Sequence, residues 1–228
     1  MMGSPASEAE RSAHENQVRV TLSSDYWLGA TEVTQGQWTT LMGTEPWKGE
    51  VYVKEGSNYA ASNISWDDAA SYIQKLTDRE RQSGTLPSGY EYALPTEAQW
   101  EYACRGGQST AYSFGDDAGQ LAQYAWFDKN GYDFGEKYAH EVGKKKANAF
   151  GLYDMHGNVN EWCRDSYVDK LTGGTNVFNE NGGSNRVFRG GCWYYPAAYC
   201  RSADRAGVSS VSRRSYLGFR VSLDPTAK

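Results

Sequence analysis

Long apolar runs are missing from this 228-residue chain: none approaches about 18 residues and mean hydropathy is −0.73, so no membrane-spanning helix is expected. Basic residues are also short, 23 Lys and Arg against 28 Asp and Glu. The resulting charge of −5 argues against nucleic acid or an anionic membrane as partner. The four cysteines, Cys104, Cys163, Cys192 and Cys200, include no C-x-x-C pair, which argues against zinc. An even count permits disulfides without implying them at this size, so the redox compartment stays open. Histidines are few, and His14, His140 and His156 sit in no nucleophile or metal-ligand motif. No Pro-rich, Ser-rich or charged stretch divides the chain, so a single domain over residues 1–228 is expected. No basic stretch followed by an apolar run opens it at Met1–Pro5, so no signal peptide is read there. The chain could be part of a longer polypeptide, and its localisation is left open.

What the chain does have is 8 Trp, 17 Tyr and 25 Gly at low hydropathy. That mixture suits a loop-rich fold with wide aromatic contacts and many left-handed backbone positions. Alternation over Gln17–Leu22 predicts a strand, and aromatic and β-branched residues continue it from Tyr26 to Val33. Three helix starts follow. Thr34 with Gln37 forms a capping box for a helix ending near Gly43, and Thr96 with Gln99 forms one for a helix ending near Gly106. Between them Ser65 caps a helix to about Gly84, with Asp67 and Asp68 at its positive end and Trp66, Ala69, Ala70, Ile73 and Leu76 on one stripe. No helical period survives beyond Gly106, and Leu217–Leu223 alternates as a closing strand. Early helices, strands at both ends and an irregular second half make the class α+β.

Four ordered blocks span nearly the whole chain: Thr31–Gln35, Leu94–Tyr102, Gly151–Trp162, and Arg189–Gly191 with Leu217–Arg220. Together they resemble the formylglycine-generating enzyme superfamily, which implies its variant C-type lectin fold. One fold hosts many functions, so activity has to be argued from the site. The family enzyme oxidises a substrate cysteine with two cysteines that hold copper(I), four residues beyond the second Gly of the Arg-Gly-Gly block and five further on. Here those positions are Tyr195 and Cys200. A phenol does not replace a thiolate as a soft ligand, so copper is not expected. Cys192 stands eight residues from Cys200, a poor substitute for the missing thiol. Of the vertebrate enzyme's two disulfides neither can form, since Arg205 takes the place of the partner of Cys104, and Ile73 and Val221 replace the other pair. The resemblance also suggests that Cys163 and Cys200 approach each other. By the same resemblance Asp154, Gly157, Val159 and Glu161 match a calcium site, oxygen donors suited to a hard cation. His156, within that block, reads as structural.

The segment from Cys192 to Tyr216 resembles a second branch of the superfamily, the variable proteins of diversity-generating retroelements. In these, mutagenesis at adenines rewrites a C-terminal segment held in a fixed frame. The frame is present as Arg189–Gly191, Trp193, Cys200–Ala203, Arg205 and Leu217–Arg220. Adenine changes in the AAY codons that such systems favour cannot yield Lys, Glu, Gln, Met or Trp, and outside Trp193 the segment contains none of them. An ordinary Ser-rich loop is the plainer explanation. Taken as a ligand-binding surface, it comprises Cys192, Tyr194, Tyr195, Pro196, Ala198, Tyr199, Asp204, Ala206, Gly207, Val208, Ser209, Ser212, Arg214, Ser215 and Tyr216. Tyrosines give wide contact at low entropic cost, with Ser and Gly supplying adaptable hydrogen bonds, as in antibody paratopes. The expected function is a module that binds a protein or cell-surface ligand. The alternatives are an oxidoreductase of the formylglycine-generating type with an altered cysteine site, or a structural domain.

Overall fold

The computed structural model describes residues 1–226. Helix α1 (Gln35–Met42) starts where expected: Thr34 accepts from Gln37 N, and the Gln37 side chain accepts from Thr34 N at 2.9 Å. Such a cap stabilises a helix by about 1 kcal/mol. Helix α2 (Trp66–Ser83) has the same reciprocal cap through Ser65 and Asp68, and α3 (Glu97–Arg105) has it through Thr96 and Gln99. All three helices end on a left-handed glycine, Gly43, Gly84 or Gly106.

The strands are short and form three small sheets. Strands β1 (Val20–Thr21) and β5 (Gly174–Thr175) pair in parallel. A second sheet has the order β2 (Trp27–Leu28), β9 (Ser222–Pro225), β3 (Tyr90–Ala93), all antiparallel. The third runs β7 (Ala206–Ser209), β6 (Asn185–Arg189), β4 (Asn160–Ser166), β8 (Leu217–Gly218). Two expectations are corrected here. Gln17–Leu22 and Tyr26–Val33 keep only two-residue strands, because most of their length pairs with irregular chain. The closing strand is two strands in two sheets, β8 beside β4 and β9 between β2 and β3. Phe219 and Arg220 turn fully inward between them, and burying both needs a change of direction that alternation does not encode.

The main core gathers Trp38, Trp47, Tyr72, Trp162 and Phe219 between α1, α2 and the third sheet. The Trp162 indole N–H inside it donates to Ile64 O at 2.8 Å, so no buried donor is lost there. Trp66, expected on the buried stripe of α2, is half-buried, stacked under the Arg186 guanidinium at 4.1 Å and donating to Cys163 O. Beyond α3 the helical pieces are 3₁₀ turns, in keeping with the absence of a helical period there.

Candidate ligand-binding surface

Four arginines of the frame hold the 189–220 segment to the rest of the chain from below. Arg189 Nε donates to Glu97 Oε1 at 2.9 Å and its Nη2 to Glu101 Oε2 at 3.0 Å. Arg205 grips the same Glu97 with two bonds of 2.7 and 2.8 Å. Burial pushes the Glu97 carboxyl up, but Arg189 and Arg205 together outweigh it and hold it below the usual range. Arg201 reaches Glu15 at 2.7 and 2.8 Å and Glu8 at 2.6 Å, fastening the N-terminal stretch under the segment. Arg220 forks onto Glu161 at 2.6 and 2.7 Å. All four guanidiniums are buried, and removing one partner of such a pair costs about 3–5 kcal/mol.

On this base the segment divides by burial. Every frame residue, Arg189–Gly191, Trp193, Cys200–Ala203, Arg205 and Leu217–Arg220, is buried. Of the expected binding residues only Cys192 is buried, and the other fourteen reach the surface at least in part. Tyr194 is 37% exposed and Tyr199 50%, with Tyr195 and Tyr216 half-buried between them. Their rings form one patch: Tyr194 to Tyr195 at 4.7 Å, Tyr195 to Tyr199 at 5.3 Å, Tyr194 to Tyr216 at 5.3 Å and Tyr195 to Tyr216 at 5.8 Å between centroids. Trp193 lies beneath at 2% exposure, among Ala60, Ala139 and Val159.

Other expected positions do different work. Cys192 presents no surface, and burial pushes its thiol up to about 12. Ala206 to Ser209 form the outer strand of the third sheet, paired with β6. Gly207 cannot vary freely, because a Cβ there would come within 2.4 Å of the Tyr167 ring. Asp204 is drawn in beside Arg201, 3.9 Å away, and burial together with Glu15 pushes its carboxyl up to about 7. Pro196 and Arg214 are exposed, and Ala198, Ser212 and Ser215 are partly buried, on the connecting turns. Sequence reasoning missed Tyr52 and Tyr132, whose rings stand 6.2 and 6.1 Å from Trp193 on loops outside the segment. No local pattern marks them.

Copper was not expected here, whereas calcium was. The four cysteines are free and buried. Cys200 lies in the turn Ala197–Cys200, where a Cβ on Gly191 (φ 74°) would come 2.6 Å from its Sγ. Burial, then the neighbouring Cys192, pushes the Cys200 thiol well up, away from the thiolate that a soft metal takes. The suggested approach of Cys163 is corrected, since Cys163 packs with Trp100 and Val187 while Cys200 packs with Tyr112 and Leu121. His156 is structural: Ser113 N donates to its Nε2 at 3.1 Å, so Nδ1 carries the proton and donates to Cys200 O at 2.9 Å.

For calcium, the expected set Asp154, Gly157, Val159 and Glu161 does not fit as a unit. The Glu161 charge is matched by Arg220, and its Oε2 also accepts from Trp100 Nε1 at 2.7 Å. Asp154 Oδ2 accepts from Gly143 N at 2.7 Å, whereas its Oδ1 is buried without a partner. Glu32 Oε2 is likewise buried and unpartnered, and its other oxygen accepts from Asn158. Burial pushes both carboxyls up, Asp154 to about 6. The acidic pair in this pocket is Glu32 with Asp154, and Glu161 belongs to Arg220.

Short strands and an irregular half bolted to α3 by buried ion pairs define a lectin-like α+β scaffold of the formylglycine-generating type. The model of the Sulfatase-modifying factor enzyme 1-like domain matches residues 1–225, and the chain belongs to that family. It is 32% identical to "Chaperone protein LppX" of Paenibacillus barcinonensis, over 76% of this chain and 71% of that protein. It is 33% identical to the formylglycine-generating enzyme of Mus musculus over 75% of this chain, and spans 46% of the enzyme's length. Among solved structures, Treponema denticola variable protein 1 superposes with a TM-score of 0.81 at 29% identity, covering 99% of this chain and 92% of that one.

Proposed function

We propose that this protein is a ligand-binding module, a variable protein of a diversity-generating retroelement, which presents a protein-recognising surface around Tyr194, Tyr195, Tyr199 and Tyr216. One observation carries the reading: within residues 189–220 the frame is buried without exception, while fourteen of fifteen varied positions reach solvent. A segment rewritten by mutation has to place its changes where they do not touch folding, and binding loops over a rigid base meet that need. The likeness to Treponema denticola variable protein 1 over nearly the whole chain supports it. The matching relatives named formylglycine-generating enzyme favour a second reading, an oxidoreductase of that type. Tyr195 in place of a thiolate and buried, proton-bearing Cys192 and Cys200 speak against it.

The coding neighbourhood tests the proposal. The expected finding is an adjacent reverse transcriptase gene and a near-copy of the DNA for residues 192–216 that differs only opposite adenines. A near-copy differing at all four bases, or frame residues varying among strains as often as Tyr194 and Tyr199 do, would overturn it.

A further inference from the structure

The tyrosine patch does not end where the segment ends. Tyr132, on a loop outside it, stacks against Trp193 with ring planes 23° apart and stands 5.8 Å from Tyr194. Its main-chain N–H donates to Trp193 O at 3.2 Å. Gly131 lets that loop approach, since a Cβ there would lie 2.7 Å from the same oxygen. Tyr52 also stands against Trp193, 6.2 Å away and 52% exposed. Tyr52 holds a left-handed backbone at φ 63°, a conformation that a bulky side chain adopts only against a steric cost. Such outliers cluster at binding sites. Phe134, two residues beyond Tyr132, is 75% exposed and contributes nothing to a core in that position.

We infer that Tyr52, Tyr132 and Phe134 form the constant flank of the binding face, and that the face as a whole takes a folded protein partner. The inference rests on the ligand-binding reading of residues 194–216 and extends it to residues that mutagenesis of the segment leaves unchanged. The constant rings would grip a feature common to all partners, and the varied positions would select among them. The extent of the face argues for a protein. Ring-to-ring steps of 6.2, 5.7, 4.7 and 5.3 Å run from Tyr52 through Trp193, Tyr194 and Tyr195 to Tyr199. With Trp193 buried beneath them, the exposed rings follow one another as a broad patch, the kind of surface a protein interface of about 800 Å² a side uses. The cavities of 270–760 Å³ described in this fold are lined by other residues. Aromatic side chains of this kind supply most binding energy in protein interfaces.

Two measurements test this. The first needs no ligand. Tyr52→Gly relieves the backbone strain and is expected to leave the melting temperature unchanged or higher. A drop of several degrees would make Tyr52 a structural residue and overturn its place in the flank. The second uses a phage-displayed library of small folded domains selected on the full chain, with a glycan array as the parallel probe. Most selected domains are expected to lose at least tenfold in affinity on Tyr132→Ala or Tyr52→Gly, and again on Tyr194→Ala with Tyr199→Ala. Loss on the second pair alone would overturn the constant flank and leave the variable surface standing. Domains indifferent to all four substitutions would overturn both. Array binding that vanishes with Tyr132→Ala would overturn the protein as partner and replace it with a saccharide.

Discussion

Replacing Trp193 by Ala and the neighbouring tyrosines by Ala should give opposite results within a span of seven residues. Trp193 is 2% exposed, packed on Ala60, Ala139 and Val159, and its main chain is tied to Asn158 and Tyr132. A large buried aromatic truncated to Ala loses about 3–5 kcal/mol, part transfer and part cavity. Tyr199, half-exposed in a turn, is expected to change stability by no more than about 0.5 kcal/mol, the usual range for surface sites without special roles. Tyr194 belongs with it. Tyr195 and Tyr216 are more deeply set, and Tyr216 packs against two core clusters. Half-burial of such a ring is worth roughly 1–2 kcal/mol at about 25 cal/mol per Å². The assay is urea unfolding of each variant, reading a shift in midpoint at constant slope. The ordering Trp193 far above Tyr216 and Tyr195, with Tyr194 and Tyr199 near zero, follows from a scaffold beneath a displayed surface. If Tyr199→Ala cost more than about 2 kcal/mol, or Trp193→Ala less than about 1 kcal/mol, the division of the segment into frame and display would be wrong.

Asp204 makes stability depend on pH. Its folded carboxyl titrates at about 7, above the 3.8 of the free group, so the folded state binds a proton more readily between those values and stability falls as pH rises from 4 to 7. The shift corresponds to roughly 4 kcal/mol at most, and a side chain 20% exposed retains a part of that. Asp204→Asn should flatten the slope, and an unchanged melting profile across pH 4–7 would refute the assignment. Asp154→Asn keeps an acceptor for Gly143 N and turns the oxygen beside Glu32 into a donor, so it should stabilise the chelator-treated protein by roughly 1–3 kcal/mol. Should calcium raise the melting temperature of the parent and Asp154→Asn abolish that rise, the pocket is a cation site after all. Glu97→Gln leaves Arg189 and Arg205 facing half their charge, with an expected cost of about 3–5 kcal/mol in thermal or chemical unfolding. With copper and a reductant, a Cys-x-Pro-x-Arg peptide is expected to keep its cysteine by mass spectrometry. Conversion that vanished on Cys192→Ser would move the protein back among the oxidases.

The sequence by itself determined the three helices, because a capping box and a terminal glycine are local signals: Thr34 with Gln37 and Gly43 operate within nine residues of one another. It also determined the family, through blocks whose residues turn out to be buried partners, Glu97 and Glu101 in one, Arg189 in another. The residues expected to hold the segment were legible for the same reason, since Arg189–Gly191, Trp193, Cys200–Ala203, Arg205 and Leu217–Arg220 are all buried. Tertiary structure alone decided the rest. Glu161 belongs to Arg220, 59 positions away, and no spacing rule distinguishes that pairing from a metal ligand. Cys192 is buried and Gly207 has no room for a side chain because each depends on what folding packs against it, the core in one case and the Tyr167 ring in the other. Tyr52 and Tyr132 lie far from the segment in the chain and meet Trp193 only after folding, so the width of this aromatic cluster is a property of the three-dimensional arrangement.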